Sequence, residues 1–239
     1  MRPLDSKFIT LITIHIFLLG ACATAAPKPI GQKVRYAYDF NQLSVTYAPD
    51  HEIPDRYDKT VVAYFSDIAD VAETEHYQAF AKTMSEPSSK DAPPNAEHFL
   101  AWMIHEQLRS GLEGSLSGSE PIDVSLTIDS TTWPNAVGML LVGETIGIKY
   151  DFEATDANSE IVLKSTRVIS PAVEPSAGSG GGLLGMALRS GESQHLRDLQ
   201  RVARAASNFV LIALTGSEID KNALKSLDYT ERAASNLEQ

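Results

Sequence analysis

Strict alternation of apolar and polar positions marks the middle of the chain. Ile122, Val124, Leu126 and Ile128 alternate with Asp123, Ser125, Thr127 and Asp129. A period of two sends these sets to opposite faces of a strand, one dry and one wet. Ile146, Ile148, Tyr150, Phe152 and Ala154 repeat the pattern against Thr145, Gly147, Lys149, Asp151 and Glu153. Asp156-Ala157-Asn158-Ser159 reads as a turn, and Ile161 to Ile169 as a third strand running back. One-sided wetting predicts an antiparallel meander covered by helices on one face.

Helical spacing flanks the meander. Leu100, Met103, Ile104, Leu108 and Leu112 form one stripe, with Phe99 beside it, and Asn95 is placed to cap it. Gly111 and Gly114 weaken its end. A long helix begins near Ser193, with Leu196, Leu199, Val202, Ala203, Ala206, Val210, Ala213 and Leu214 as its buried stripe and Gly216 as its stop. Phe209 to Leu214 are apolar nearly all round, so that end should be deeply buried.

Before residue 95 the pattern is more mixed. Val34 to Tyr38 and Leu43 to Tyr47 are β-prone, and Asp39 to Gln42 could turn between them, which predicts a hairpin. Thr60 to Phe65 is β-branched and aromatic, fit for a strand, and Asp67 to Met84 shows helical spacing. Ser85 to Pro94 and Pro171 to Gly185 read as loops, and residues 217–239 as a polar tail with helical tendency. The expected class is α+β: one domain over residues 33–216, with an antiparallel sheet of about three to five strands and helices packed on one face.

The first 32 residues follow another logic. Arg2 and Lys7 precede an apolar run, Phe8 to Leu19. That run is too short to span ~30 Å of hydrocarbon as a helix and suits a signal peptide. Leu19-Gly20-Ala21-Cys22 ends it with the chain's single cysteine. The pattern resembles the lipobox of bacterial lipoproteins. The resemblance implies cleavage after Ala21, acylation of Cys22 and anchoring of the mature chain to a membrane. Residues 1–21 are then the signal peptide and 22–32 a lipidated tether. Ala23, where an Asp would favour inner-membrane retention, points to the periplasmic side of the outer membrane. The element order across residues 95–216 also looks like small periplasmic accessory lipoproteins, among them those of lipid transporters and cell-wall synthases.

Charge narrows the partners. The formal net charge is −11, and Arg2, Lys7 and Asp5 leave with the signal, so the remaining 218 residues stand at −12. So acidic a chain is unsuited to nucleic acid or to anionic headgroups. Acyl chains on Cys22 supply the attachment instead. No cysteine remains for a disulfide, zinc cluster or thiol nucleophile.

Motifs for chemistry fail on inspection. His105-Glu106 would need a second His at 109 for a zinc protease, and Arg109 stands there. His98 and His105 could share a helical face without a ligand pattern around them. Gly180-Gly181-Gly182-Leu183-Leu184-Gly185 has the letters of a dinucleotide turn but no βαβ context, and Ser179 lacks the glycine of a nucleophile elbow. No catalytic residue, metal site or cofactor is expected. Asp123, Asp129, Glu144, Asp151 and Glu153 read as a solvated row, with Lys149 and Asp151 on one face and able to pair across strands. Trp133-Pro134 should end its strand with the ring at a core edge. Leu183, Leu184, Met186 and Leu188 are conspicuous in a loop, and either pack on their own domain or contact a partner. The expected role is a non-catalytic binding or accessory subunit with an envelope protein partner. An envelope hydrolase using wet-face carboxylates and a lipid or small-ligand carrier are the alternatives.

Overall fold

A computed structural model of the chain describes residues 32–49, 53–84, 93–133, 147–169 and 192–216. In order these form α1 (Gln32–Ala37), β1 (Tyr38–Tyr47), α2 (Asp55–Asp67), α3 (Val71–Met84), α4 (Ala96–Glu113), β2 (Glu120–Thr132), β3 (Gly147–Asp156), β4 (Ile161–Ile169) and α5 (Glu192–Thr215). The expected α+β class holds. The four strands make one sheet in the order β1-β2-β3-β4.

The meander is as the alternation predicts. β2 pairs antiparallel with β3, and β3 with β4. Val124, Leu126 and Ile128 lie opposite Ala154, Phe152 and Tyr150 on the dry face, and with Ile122 all are essentially inaccessible to water. The turn at Asp156 is held by its own carboxylate, which accepts from the N–H groups of Asn158 (2.8 Å) and Glu160 (2.9 Å). Ser159 completes it at φ 62°.

β1 departs from the expected hairpin. Residues 32–37 are helical, and a single strand then runs from Tyr38 to Tyr47 with a bulge at Asn41. It pairs parallel with β2, so the sheet is mixed rather than wholly antiparallel. The connection between α4 and β2 seizes this segment. Ser117 and Ser119 donate backbone N–H groups to Arg35 O and Ala37 O, and Gly118 to Tyr38 O at 2.8 Å. Arg35 Nε donates to Ser115 O. A Cβ on Gly118 would stand 2.1 Å from Ala37 C, so only glycine permits this approach.

The strand expected at Thr60 to Phe65 is instead the heart of α2. Read from Asp55, the stripe is Tyr57, Thr60, Val61 and Tyr64, all buried, while Val62 is 41% exposed. Pro54 precedes the helix, and Asp55 and Asp58 lie in its first turn, where carboxylates suit the helix dipole. The helix expected over Asp67 to Met84 is really the end of α2 plus α3. Asp70 separates them, its side chain accepting from Glu73 N at 2.8 Å as a cap would.

The helices cover the dry face. α4 lies against β1, α5 against β3 and β4, and α4 and α5 pack on each other. Phe99, Leu100, Met103, Ile104, Leu108, Val202, Ala206 and Val210 fill the layer between and are fully buried. α4 begins as expected, with Asn95 Oδ1 accepting from His98 N at 2.8 Å. Asp58 of α2 adds a second acceptor, taking Ala96 N at 2.8 Å. An aromatic cluster fixes α2 and α3 onto α4: Phe65 stacks on Tyr77 at 4.4 Å and meets Phe99 edge-on at 5.6 Å, while Tyr77 meets Trp102 at 5.7 Å. Such pairs add about 0.5–1.5 kcal/mol each beyond burial.

Candidate functional site

Among the described residues β1 is an edge strand, and α3 faces it across a groove of about 810 Å³. One wall is residues 42–47 of β1; another is Ala79, Phe80, Thr83 and Met84 of α3. The floor and rim come from α4, with His98, His105 and Glu106, and from His76 of α3. The sheet supplies apolar side chains to this space: Leu43, Val45 and Tyr47 share the dry face with Val124, Leu126 and Ile128. Tyr47 is locked by its hydroxyl, which donates to Glu97 O at 2.8 Å.

Glu106 is the charged centre of the groove. It is only 6% exposed although it sits on a core-facing helix. His105 Nδ1 donates to Oε1 at 3.0 Å, Arg109 Nη2 to Oε2 at 2.9 Å, and His76 Nε2 stands 3.6 Å from Oε1. Burial by itself would raise its pKa. The hydrogen bonds from His105 and Arg109 and the charges of His76 and Arg109 outweigh burial and bring it down to about 2. Glu106 is therefore a fixed carboxylate at neutral pH. It receives hydrogen bonds and ties α3 to α4; a general acid would need the opposite shift. His98, by contrast, has its pKa lowered by burial, with Glu97 opposing, so its ring is held neutral. Asn95 Nδ2 lies 3.3 Å from His98 Nδ1, a contact that suits a neutral acceptor nitrogen.

A second polar cluster lies where α2 meets α5. Thr60 Oγ1 is 3.1 Å from His195 Nδ1, and Tyr57 packs on both the His195 and Trp133 rings at 4.7 and 4.5 Å. Burial, then Asp198, raises the Tyr57 pKa to about 12. Thr60 is 3% exposed and Tyr57 2%, so these groups hold the core together. Trp133 sits at the core edge as expected, its Nε1 donating to Thr131 Oγ1.

The wet-face carboxylates are solvated and matched. Asp129 pairs with Lys149, and Asp151 accepts from Thr166 of the next strand. Glu153 pairs with Lys164 at 2.7 Å, and Asp123 accepts from Asn41 Nδ2 at 2.7 Å. Lys149 and Asp151 thus each find a cross-strand partner. Glu144 falls outside the described residues, as do Cys22 with Leu19, Gly20 and Ala21, and Leu183, Leu184, Met186 and Leu188. Among the described residues no cluster of three His, Cys, Asp or Glu side chains is arranged to hold a metal ion, and no helix is long and apolar enough to cross a membrane.

By sequence alone His98, His105 and Glu106 form only an incomplete metal pattern. The available signal was a carboxylate within a buried stripe, with Arg109 three residues on to neutralise it. His76 and the β1 edge had no such signal, because they reach the site from distant parts of the chain.

No protein-family model matches the chain, and no curated protein does. Among solved structures it is similar to a candidate lipoprotein from Caulobacter crescentus CB15, at 15% identity and TM-score 0.30, covering 49% of this chain and 81% of that one. It is also similar to a PelC variant from Paraburkholderia phytofirmans, solved as a dodecamer, at 13% identity and TM-score 0.29, covering 74% and 93%. Both likenesses are too distant to bear on function.

Proposed function

We propose that the chain is a lipid-anchored envelope protein whose domain works by binding a partner, with the groove between α3, α4 and β1 as the contact site. The observation that carries this reading is the groove itself: an apolar-walled trough along an edge strand, with its charged centre neutralised in place. Concave apolar surface with a few converging polar groups is the usual form of a recognition site. The wet-face carboxylates Asp129, Asp151 and Glu153 lie on the open face and are engaged across strands by Lys149, Thr166 and Lys164. Among the described residues the layer between β2–β4 and the helices is filled by core side chains. The lipobox supports anchoring through Cys22 on the periplasmic side of the outer membrane. Leu183, Leu184, Met186 and Leu188 are proposed as a further contact on sequence grounds.

Two experiments test the reading. A photo-crosslinking residue at Ala79, in the lipidated full chain in its own envelope, should give a discrete protein adduct. The same residue at Ser125, on the wet face, should not. No adduct at 79, or the same adducts at both positions, would overturn the binding site. Cys22→Ser should abolish incorporation of labelled fatty acid, and undiminished labelling would refute the anchor.

A further inference from the structure

The acidic balance of the chain conceals one local exception. After Asp5 the next carboxylate is Asp39. Residues 22–38, from Cys22 through α1, therefore hold Lys28, Lys33 and Arg35 and no acid, a formal charge of +3. Residues 39–239 stand at −15. No other acid-free stretch beyond Cys22 carries as many cations. The charge is split along the chain, with its positive end beside the expected acyl anchor.

The fold holds that end in place and leaves one ring outside it. Arg35 Nε donates to Ser115 O at 2.9 Å, and Arg35 O, Ala37 O and Tyr38 O take the N–H groups of Ser117, Ser119 and Gly118. Tyr36 lies between these clasped residues and is 62% exposed. It is the one exposed aromatic ring among the described residues; the others are buried or half-buried. The Arg35 guanidinium carbon stands 6.0 Å from its ring centre. A tyrosine ring beside a cation suits a membrane–water interface, where the ring lies at headgroup level and the cation meets phosphate. Ten residues, 22–31, separate the anchor from α1, and they span at most about 36 Å. An acylated Cys22 thus keeps this end close to lipid. Attraction to anionic lipid fades within a Debye length of about 8–10 Å, so the basic end gains from it while the acidic body is repelled.

We infer that α1 and the basic tether dock on an anionic lipid surface, with the Tyr36 ring at headgroup level and Lys28, Lys33 and Arg35 against lipid phosphates. The acyl chains supply attachment, and this contact supplies orientation. It seats the domain by its α1 end. This inference rests on the anchor at Cys22 and adds the lipid chemistry and the face that meets it.

The test uses the lipidated full chain in vesicles of phosphatidylcholine with about one-third phosphatidylglycerol and a trace of nickel-chelating lipid. With Cys22 acylated, Ser117→Cys or Thr46→Cys supplies the single free thiol for a nitroxide, and both positions are exposed. Ser117 adjoins α1, whereas Thr46 lies eight residues along β1 from Tyr38, roughly 26 Å away at 3.3 Å per residue. Relaxation of the nitroxide by headgroup nickel should be at least threefold stronger at 117 than at 46. Tyr36→Ser, and Lys28→Gln with Lys33→Gln, should each halve that difference or more with the circular dichroism unchanged. Raising salt, or using phosphatidylcholine without phosphatidylglycerol, should do the same. Equal relaxation at the two positions, or a difference that neither the variants nor salt moves, would overturn the inference, and flotation of the chain with the vesicles would leave the anchor standing. A chain that does not float would refute the anchor and the inference with it. Dimers in detergent sedimentation that Tyr36→Ser abolishes would assign this end to a second copy and overturn it too.

Discussion

The two edges of the sheet are built on opposite principles. β4 offers Lys164 and Arg167 along its length, and Arg167 lies over the Phe209 ring at 4.6 Å. Its helix-facing row, Leu163, Ser165, Arg167 and Ile169, is partly polar and only half-buried. That edge can end in water. β1 is uncharged between residues 42 and 47, buries Val45 to 3% exposure, and has α3 standing beyond it. Charge along an edge keeps it in water, and an uncharged edge under an apolar overhang makes one wall of the groove. The difference locates the proposed site on one side of the molecule.

The contrast can be broken most severely at its anchor. Gly118→Ala sets a Cβ against backbone atoms of Ala37 and Tyr38 at 2.1–2.3 Å, and no side-chain rotation relieves that. The expected loss is about 3 kcal/mol, with a Tm fall of roughly 6–12 °C in calorimetry. β4 should keep its amide protection longer than β1 in this variant.

Glu106→Gln strikes the groove centre. It removes the carboxylate that takes hydrogen bonds from His105 and Arg109 and faces His76. About 1–3 kcal/mol should be lost at pH 7, read by chemical denaturation. The pH dependence carries a clear sign. The folded pKa is depressed to about 2, so this contribution is fully present above the ordinary carboxylate value near 4.5 and is lost as pH falls toward 2. The variant's stability should fall less steeply than the parent's across that window.

Making β1 resemble β4 is gentler. Ser44→Lys and Thr46→Lys together place two cations on the exposed face of β1. The protein crosslink from residue 79 should weaken severalfold, with Tm nearly unchanged. The smallest effect concerns His98. Its lowered pKa means that the unfolded chain binds the proton more readily, so stability falls as pH drops through 6.5. His98→Gln should remove that slope in denaturation curves between pH 7 and 5.

The elements read most directly from sequence are those whose burial repeats locally. β2, β3, β4 and the turn at Asp156 follow from alternation, and α4 and α5 from helical stripes, because each residue's environment there is set by near neighbours in the chain. The same local view misplaced Thr60 to Phe65. Its β-branched run is conspicuous by itself, yet the stripe from Tyr57 to Tyr64 becomes visible only from Asp55, where the helix starts. Within the groove, Glu106 read only as part of an incomplete zinc motif, and its pairing was not legible, since His76 lies thirty residues away.

The sequence by itself determined the α+β class, the meander, the capped helix at Asn95, the acidic balance and the expectation of an acylated Cys22. Those follow from composition and from short-range period, which physics ties to local burial. Tertiary structure alone decided that β1 pairs parallel with β2, that Gly118 clasps its start, and that a strand edge, α3 and a neutralised carboxylate share one groove. Each of these is a contact between segments far apart in the chain, and no local periodicity encodes which distant partner a strand edge will find.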